Sequence, residues 1–597
     1  MDTQEKKRIT LPTGRQFLVL VPFSLCYAAF IVLGNWQKSA EYSNLQNIGR
    51  ILVWAFISYG ILFLLCFMVS HINILWRLLK DNFRSDHAAA VCGKPQSRLA
   101  VLGRWMLAQN KRSGKWYVLL GFFLVCLLSY LPYYLMYYPT WFNNDAIWQM
   151  EQILGWKARS NHHPFFHTLI MQFFVTIGYR LSGTYTGAVA FYTFWQMALV
   201  AFTFAFCLYV LYKRGTRLVW LVLALTFYIG LPVHGMLSIC MGKDAFFVSA
   251  LTFFAWMSHT FDLEKEKSAL QWILYFLTGM SVCFLRSNGI LIFAGTAFVL
   301  ILCRWCGGGG GDIVYKRDGG KSRSVPVRTI LCAAAVLICY LLYQGPILRG
   351  LQVEKADTIE GLTMPTQHLL CAYMRGGSLT EEEIAMIGQV LPLEKMEEYY
   401  NPYLFDVTKN LIREEGDQEV IAEHKWDYFK LWLRVGLRNP MLYLEGEVRQ
   451  TAGYWAYRIP HDQFLYGEYF MVDNPFGITN ERKLFTYDNS LAMGKFLMGF
   501  QNLYNKVWSL GLNTWVMLFG LAYLAWQRKN AMCYVPYIML LLSLLLATPV
   551  YNEFRYAYGL FAAFPLLFAY TFGPPEEKEA VGYQTEKGAS LSNEKMV

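Results

Sequence analysis

Residues 534–547 read YVPYIMLLLSLLLA and residues 331–342 read LCAAAVLICYLL. Neither stretch holds a charged side chain. With their flanks, such runs approach the roughly 20 residues that cross a bilayer as a helix. They recur along the chain. Crossings are predicted at 17–34, 48–69, 117–138, 187–212, 218–235, 245–260, 270–285, 288–304, 327–344, 509–526, 531–549 and 555–573. The expected fold is therefore an all-α polytopic membrane protein with about 12 spans. Composition agrees, since 55% of the 597 residues are hydrophobic and 16% are charged, against about 25% charged in a typical soluble domain. An ordinary soluble enzyme, a disordered chain and a small disulfide-stapled domain are excluded.

Charge is distributed unevenly. Between Arg349 and Lys506 there are 23 acidic and 16 basic residues, in a chain whose net charge is +11. A polar, acidic block is thus set in a basic, apolar frame. Lys and Arg in the connections orient the spans. With Lys6, Lys7 and Arg8 in the cytoplasm, the other strongly basic connections also fall inside. These are the 70–116 loop, Lys213/Arg214/Arg217, the 305–326 loop and Arg528/Lys529. The 345–508 block then comes out on the far side as a mainly helical extracytoplasmic domain. The remaining divisions are a two-span extension with its basic loop (1–116), a transmembrane core (117–344) with an external loop at 139–186, C-terminal spans (509–573) and a cytoplasmic tail (574–597).

The apolar segment 165–177 would reverse this orientation if it crossed. Its flanks, Asn161-His162-His163-Pro164 and Tyr179-Arg180, suit a helix lying in the outer interface or dipping in and returning. The first apolar stretch reads as an anchor, without a small-residue cleavage site. Gly319-Gly320-Lys321-Ser322 only superficially resembles a phosphate loop, because Tyr315 stands where the pattern needs glycine. The 305–326 loop is read as a flexible linker. Most of the 13 cysteines lie within predicted spans, where a small buried hydrophobe is expected.

Polar residues gather at one face. After the third span, Pro139 ends the helix, and Asn144-Asp145 opens an aromatic, amphipathic stretch that runs to His162-His163. By position alone, the competing reading of Asp145 is a helix cap in a solvated loop. Gly242-Lys243-Asp244 joins two spans, Arg286-Ser287-Asn288-Gly289 forms a short turn, and Glu553-Phe554-Arg555-Tyr556 begins the last span. Ionisable residues at membrane depth are functional candidates. Lys243, Arg286 and Arg555 on one leaflet suggest a phosphate or diphosphate site. The competing reading is interfacial snorkelling. Gln367 and the aromatic stretch 443–457 are candidates to border a cleft.

These motifs resemble the multi-spanning, lipid-phosphate-dependent glycosyltransferases of the GT-C superfamily, and more closely an uncharacterised bacterial GT-C-like group. The resemblance rests on Tyr138-Pro139 followed by Asn144-Asp145, His162-His163-Pro164, Gly242-Lys243-Asp244, Arg286-Ser287-Asn288-Gly289 and Phe554-Arg555-Tyr556, across about 117–573. It implies a transferase that moves a sugar from a polyprenyl-phosphate donor to a cell-envelope glycan or lipid at the outer face of the plasma membrane. Asp145 would be the catalytic carboxylate, and Lys243, Arg286 and Arg555 would bind the donor phosphate. Asn144, His162, His163, Asp244, Gln367 and Tyr556 would serve the sugar, the acceptor or auxiliary roles. A divalent metal is possible without an assigned ligand set, and no nucleic-acid partner is expected. Two rivals remain: a transporter or flippase of a lipid-linked sugar or wall precursor, and a non-enzymatic assembly protein.

Overall fold

A computed structural model describes residues 12–85, 114–142, 144–263, 267–306, 313–316, 322–457, 459, 474–479, 483–484, 492–496, 499, 503 and 508–572. Most basic residues expected in the 70–116 loop, the glycines 307–311 and the tail 574–597 lie outside the described side chains.

Among the described residues the protein is all-α apart from one small hairpin. In chain order the helices begin with α1 (Gly14–Leu33), α2 (Trp36–Ala40), α3 (Asn44–Ser85), α4 (Trp116–Met136), α5 (Asn144–Ile153), α6 (Phe165–Ser182) and α7 (Tyr185–Lys213). Then come α8 (Leu218–Gly230), α9 (Pro232–Ile239), α10 (Lys243–Leu263), α11 (Ala269–Leu285), α12 (Gly289–Cys306) and α13 (Val327–Leu342). The polar region contributes α14 (Thr363–Met374), α15 (Glu381–Val390), α16 (Phe405–Glu415), α17 (Lys425–Arg438) and α18 (Pro440–Thr451). The chain closes with α19 (Leu510–Trp526), α20 (Val535–Ala547), α21 (Phe554–Ala562) and α22 (Phe564–Phe572). The expected linker between α12 and α13 contains the hairpin, in which Ile313–Lys316 pairs antiparallel with Ser322–Val325.

Five helices among the described residues are long and apolar enough to cross a bilayer: Gly14–Leu33, Asn44–His71, Trp116–Met136, Tyr185–Lys213 and Val327–Gly350. A sixth arises if α8 and α9, bent by 50° at their junction, form one span. That bend has a local cause. Pro232 opens α9 and holds Leu231 in an extended conformation, the geometry a following proline imposes. The remaining expected spans correspond to shorter apolar helices, including α11, α12, α19 and α20, and to the pair α21/α22, which is broken at Ala563. This is a multi-pass membrane protein.

Its surface carries the sign of lipid as solvent. Leu52, Phe56, Leu331 and Leu341 are each at least 60% exposed, which water would penalise and hydrocarbon does not. The interior is packed instead by aromatic and small residues, among them Tyr130, Phe204, Tyr228, Phe254, Tyr537 and Tyr558. Some buried hydroxyls bond across helices: Tyr130 donates to the Tyr228 carbonyl at 2.8 Å, and Tyr228 to the Ala562 carbonyl at 3.0 Å. α1 and α3 pack together beside α19 through Leu20, Tyr27, Leu62 and Tyr523. The polar region has its own core of Ile359, Leu370, Ile387, Phe405, Leu431 and Val435.

Candidate functional site

Four helix ends build the site. Backbone pairing sets it: Trp141 N–H donates to the Ile239 carbonyl at 3.1 Å, and Met241 N–H to the Trp141 carbonyl at 3.0 Å. The chain leaving α4 is thereby stitched to the chain entering α10. Asp145, in the first turn of α5, meets Lys243, the first residue of α10, with Nζ 3.0 Å from Oδ2. Helix N-termini favour the carboxylate there. The Lys243 ammonium also lies 3.4 Å from His163 Nδ1. Burial pushes the Asp145 carboxyl up, but the charges of Lys243, His163 and Arg555 override it and hold the carboxyl well below the usual range. Burial, with Lys243 beside it, lowers His163 from 6.5 to about 3. A neutral imidazole facing an ammonium accepts through Nδ1, so its proton sits on Nε2.

Asp244, the next residue of α10, binds Arg286 at the end of α11 with a contact of 3.1 Å. The Arg286 guanidinium lies over the Tyr556 ring at 4.8 Å and the Phe247 ring at 5.4 Å. Arg555, at the start of α21, pairs with Glu553 at 3.0 Å and feels the charges of Asp244 and Asp145. So Asp145, His163, Lys243, Asp244, Arg286, Arg555 and Tyr556 form one ionic neighbourhood. Asn144 is exposed beside it.

Two expected residues do other work. Gln367 is buried in α14, where its amide donates to the Asn401 carbonyl (2.9 Å) and to Gln450 Oε1 (3.0 Å). It ties the polar region together and does not reach the ionic neighbourhood. His162 turns away from Asp145 toward Glu360, 3.5 Å distant. Trp148 packs beside both histidines, its ring 5.7 Å from His162 and 5.9 Å from His163, while the two imidazoles meet edge-on at 4.7 Å.

Sequence reading missed the residues around Glu360. His162, Asp357 and Glu360 place one donor atom each within 4.8 Å of one another, a mixed nitrogen–oxygen set capable of coordinating a divalent ion. The carboxylates already hold cations: Arg413 binds Asp357 at 2.7 Å and also Glu360, and Lys409 lies 3.2 Å from Glu360. An ion would have to displace them. The sequence signal was the spacing of Lys409 and Arg413, four apart on one face of α16. A second missed network lies under the site. His167 contacts Gln149 Oε1 at 3.0 Å and the Tyr192 hydroxyl at 2.8 Å, and Tyr192 donates to Gln196 at 2.9 Å. Gln196 in turn donates to the Cys240 carbonyl at 2.7 Å, just ahead of Lys243.

No curated protein and no solved structure matches the chain. A family model matches residues 158–586, a stretch that holds His162, His163, Lys243, Asp244, Arg286, Gln367, Arg555 and Tyr556 and begins after Asp145. The chain belongs to that family, the family of unknown function DUF6020.

Proposed function

We propose that the protein is a GT-C-type glycosyltransferase that moves a hexosyl or pentosyl unit from a polyprenyl phosphate to an acceptor hydroxyl of a cell-envelope glycan or lipid. One observation carries this reading. The cations Lys243, Arg286 and Arg555 meet the Asp145 carboxylate, from four separate helix ends and with Asp244 and Glu553 as further acidic partners, at the ends of apolar helices. In this reading the chain crosses the plasma membrane twelve times, with the site and the 345–508 region on the extracytoplasmic face.

The acceptor oxygen attacks the anomeric carbon as the bond from that carbon to the phosphate oxygen breaks. The bonding electrons leave with the phosphate. Fixed positive charge from Lys243, Arg286 and Arg555 stabilises that developing anion. Asp145 accepts the hydrogen bond of the attacking hydroxyl. As a carboxylate held strongly ionised it is a weak base, so it takes the proton late, once bond formation has made the hydroxyl acidic. Tyr556, beneath Arg286, keeps that guanidinium oriented.

The test uses purified protein in nanodiscs, with radiolabelled polyprenyl-phosphate sugars offered one at a time and membrane lipid extract as acceptor. Transfer of label is expected with one donor, and Asp145→Asn lowers it about 10²–10⁴-fold with the protein still folded. A second reading, a flippase of a lipid-linked sugar, draws on the 50° break between α8 and α9, since broken helices serve substrate sites in transporters. Donor binding without turnover, unchanged in Asp145→Asn, would favour it.

A further inference from the structure

Helix α17 is apolar on two opposite faces. One face is accounted for: Leu431 and Val435 are fully buried in the core of the polar region, and Tyr428 donates to the Met386 carbonyl at 2.9 Å. The other face carries Trp426, Phe429, Leu433 and Leu437, spaced three and four apart, which align on a helix. They are 74%, 49%, 44% and 74% exposed. Scattered apolar residues on a surface need no explanation, but a contiguous stripe does. Along its flank run Lys430 and Arg434, whose side chains are 64% and 59% exposed. The helix has four basic residues and one acidic one, inside a block that is otherwise acidic.

The neighbours of α17 put a bilayer within reach. It turns directly into α18 at Asn439-Pro440, and a side chain on Gly436 would strike the Tyr443 ring of α18, so the two helices are held at a fixed, close approach. α18 touches α2, which immediately follows the span α1, and it also touches the apolar helix α20. The polar region therefore rests against the ends of membrane helices.

We infer that α17 docks in the surface of the bilayer that the chain spans, with Trp426, Phe429, Leu433 and Leu437 in the headgroup–acyl boundary and Lys430 and Arg434 against anionic headgroups. A large apolar face with basic flanks and aromatic residues is the pattern of helices that lie in this plane. Lys430 and Arg434 lie 3.4 Å from Asp427 and 3.9 Å from Glu383, and their exposed heads stay open to a further anion. The inference does not depend on the reaction proposed above, because it involves none of the residues of the ionic neighbourhood.

The experiment uses the full chain in vesicles of phosphatidylcholine and phosphatidylglycerol, with Phe429 or Leu433 replaced by p-benzoylphenylalanine. Replacement of Glu397, an exposed residue of the same region, is the control. Irradiation should give lipid adducts at 429 and 433 several-fold above those at 397. In the Lys430→Gln/Arg434→Gln background, the adduct to phosphatidylglycerol should fall while that to phosphatidylcholine persists. A crosslink to a second copy in place of lipid, or lipid adducts no higher than at 397, would overturn the inference. Two labelled positions guard against one replacement that fails to fold.

Discussion

Proton affinities at the site are set by burial and by one shared ammonium. Lys243 touches both Asp145 and His163, and its charge lowers the affinity of each for a proton. Both groups bind fewer protons folded than unfolded, so both lose stability on acidification. For His163 the loss sets in below the ordinary value of 6.5 and continues down to about 3. Stability should thus fall as pH drops from 7 to 4, and His163→Asn should flatten the upper part of that slope. Melting temperatures across this range in detergent would measure it; an unchanged slope would refute the assignment. Lys243 was legible as a cation in a motif and Asp145 as a carboxylate in another. Their contact was not, because it depends on the strand-like pairing of Trp141 with Ile239 and Met241, which no periodicity encodes. Glu360 was missed for a related reason: its partner His162 belongs to a distant loop, and the acidic surroundings made it look like ordinary solvated charge.

At the level of elements, the turn between α11 and α12 sets the position of Arg286. Gly289 approaches the Val282 carbonyl so closely that a Cβ would lie 1.9 Å from its oxygen. Gly289→Ala must therefore push the turn apart, displacing Arg286 from Asp244. A cost of about 1–3 kcal/mol is expected from such overpacking, read as a lowered melting temperature of the full chain. Long uninterrupted spans such as α1, α4 and α7 could be located from hydropathy alone, because their apolar residues leave no competing assignment. The predicted spans at 218–235 and 555–573 were each resolved into two helices. Leu231-Pro232 announces the first break by proline chemistry. The second break is announced in the same way, since Pro565 follows Ala563 by two residues and has no N–H with which to continue α21.

Across the whole molecule, the charge asymmetry between 349–506 and the rest makes a topological prediction. In intact cells a membrane-impermeant thiol reagent should label Glu398→Cys and spare Lys213→Cys, each compared with the unmodified chain. Labelling of both from one side would place the polar region and the α7 end on the same face. The predicted orientation rests on counts of Lys and Arg alone, while the way α16 is fastened to the His162 loop requires the fold. That fastening, through His162 on Glu360, which Arg413 and Lys409 hold in place, seats the polar region against the loop that carries His163.

The contact between Asp145 and Lys243 also makes the resting site its own counter-ion. An anion arriving at the ammonium must compete with a carboxylate that is already in place and cannot diffuse away. Chloride or free phosphate brings charge alone and gains little over the resident partner. A ligand that supplies a lipid tail or a sugar as well has further contacts with which to win the exchange. After it departs, the carboxylate re-forms the pair without recruiting anything from solution. On the proposed reading, such a site would reject simple salts by internal competition and reset itself after each turnover.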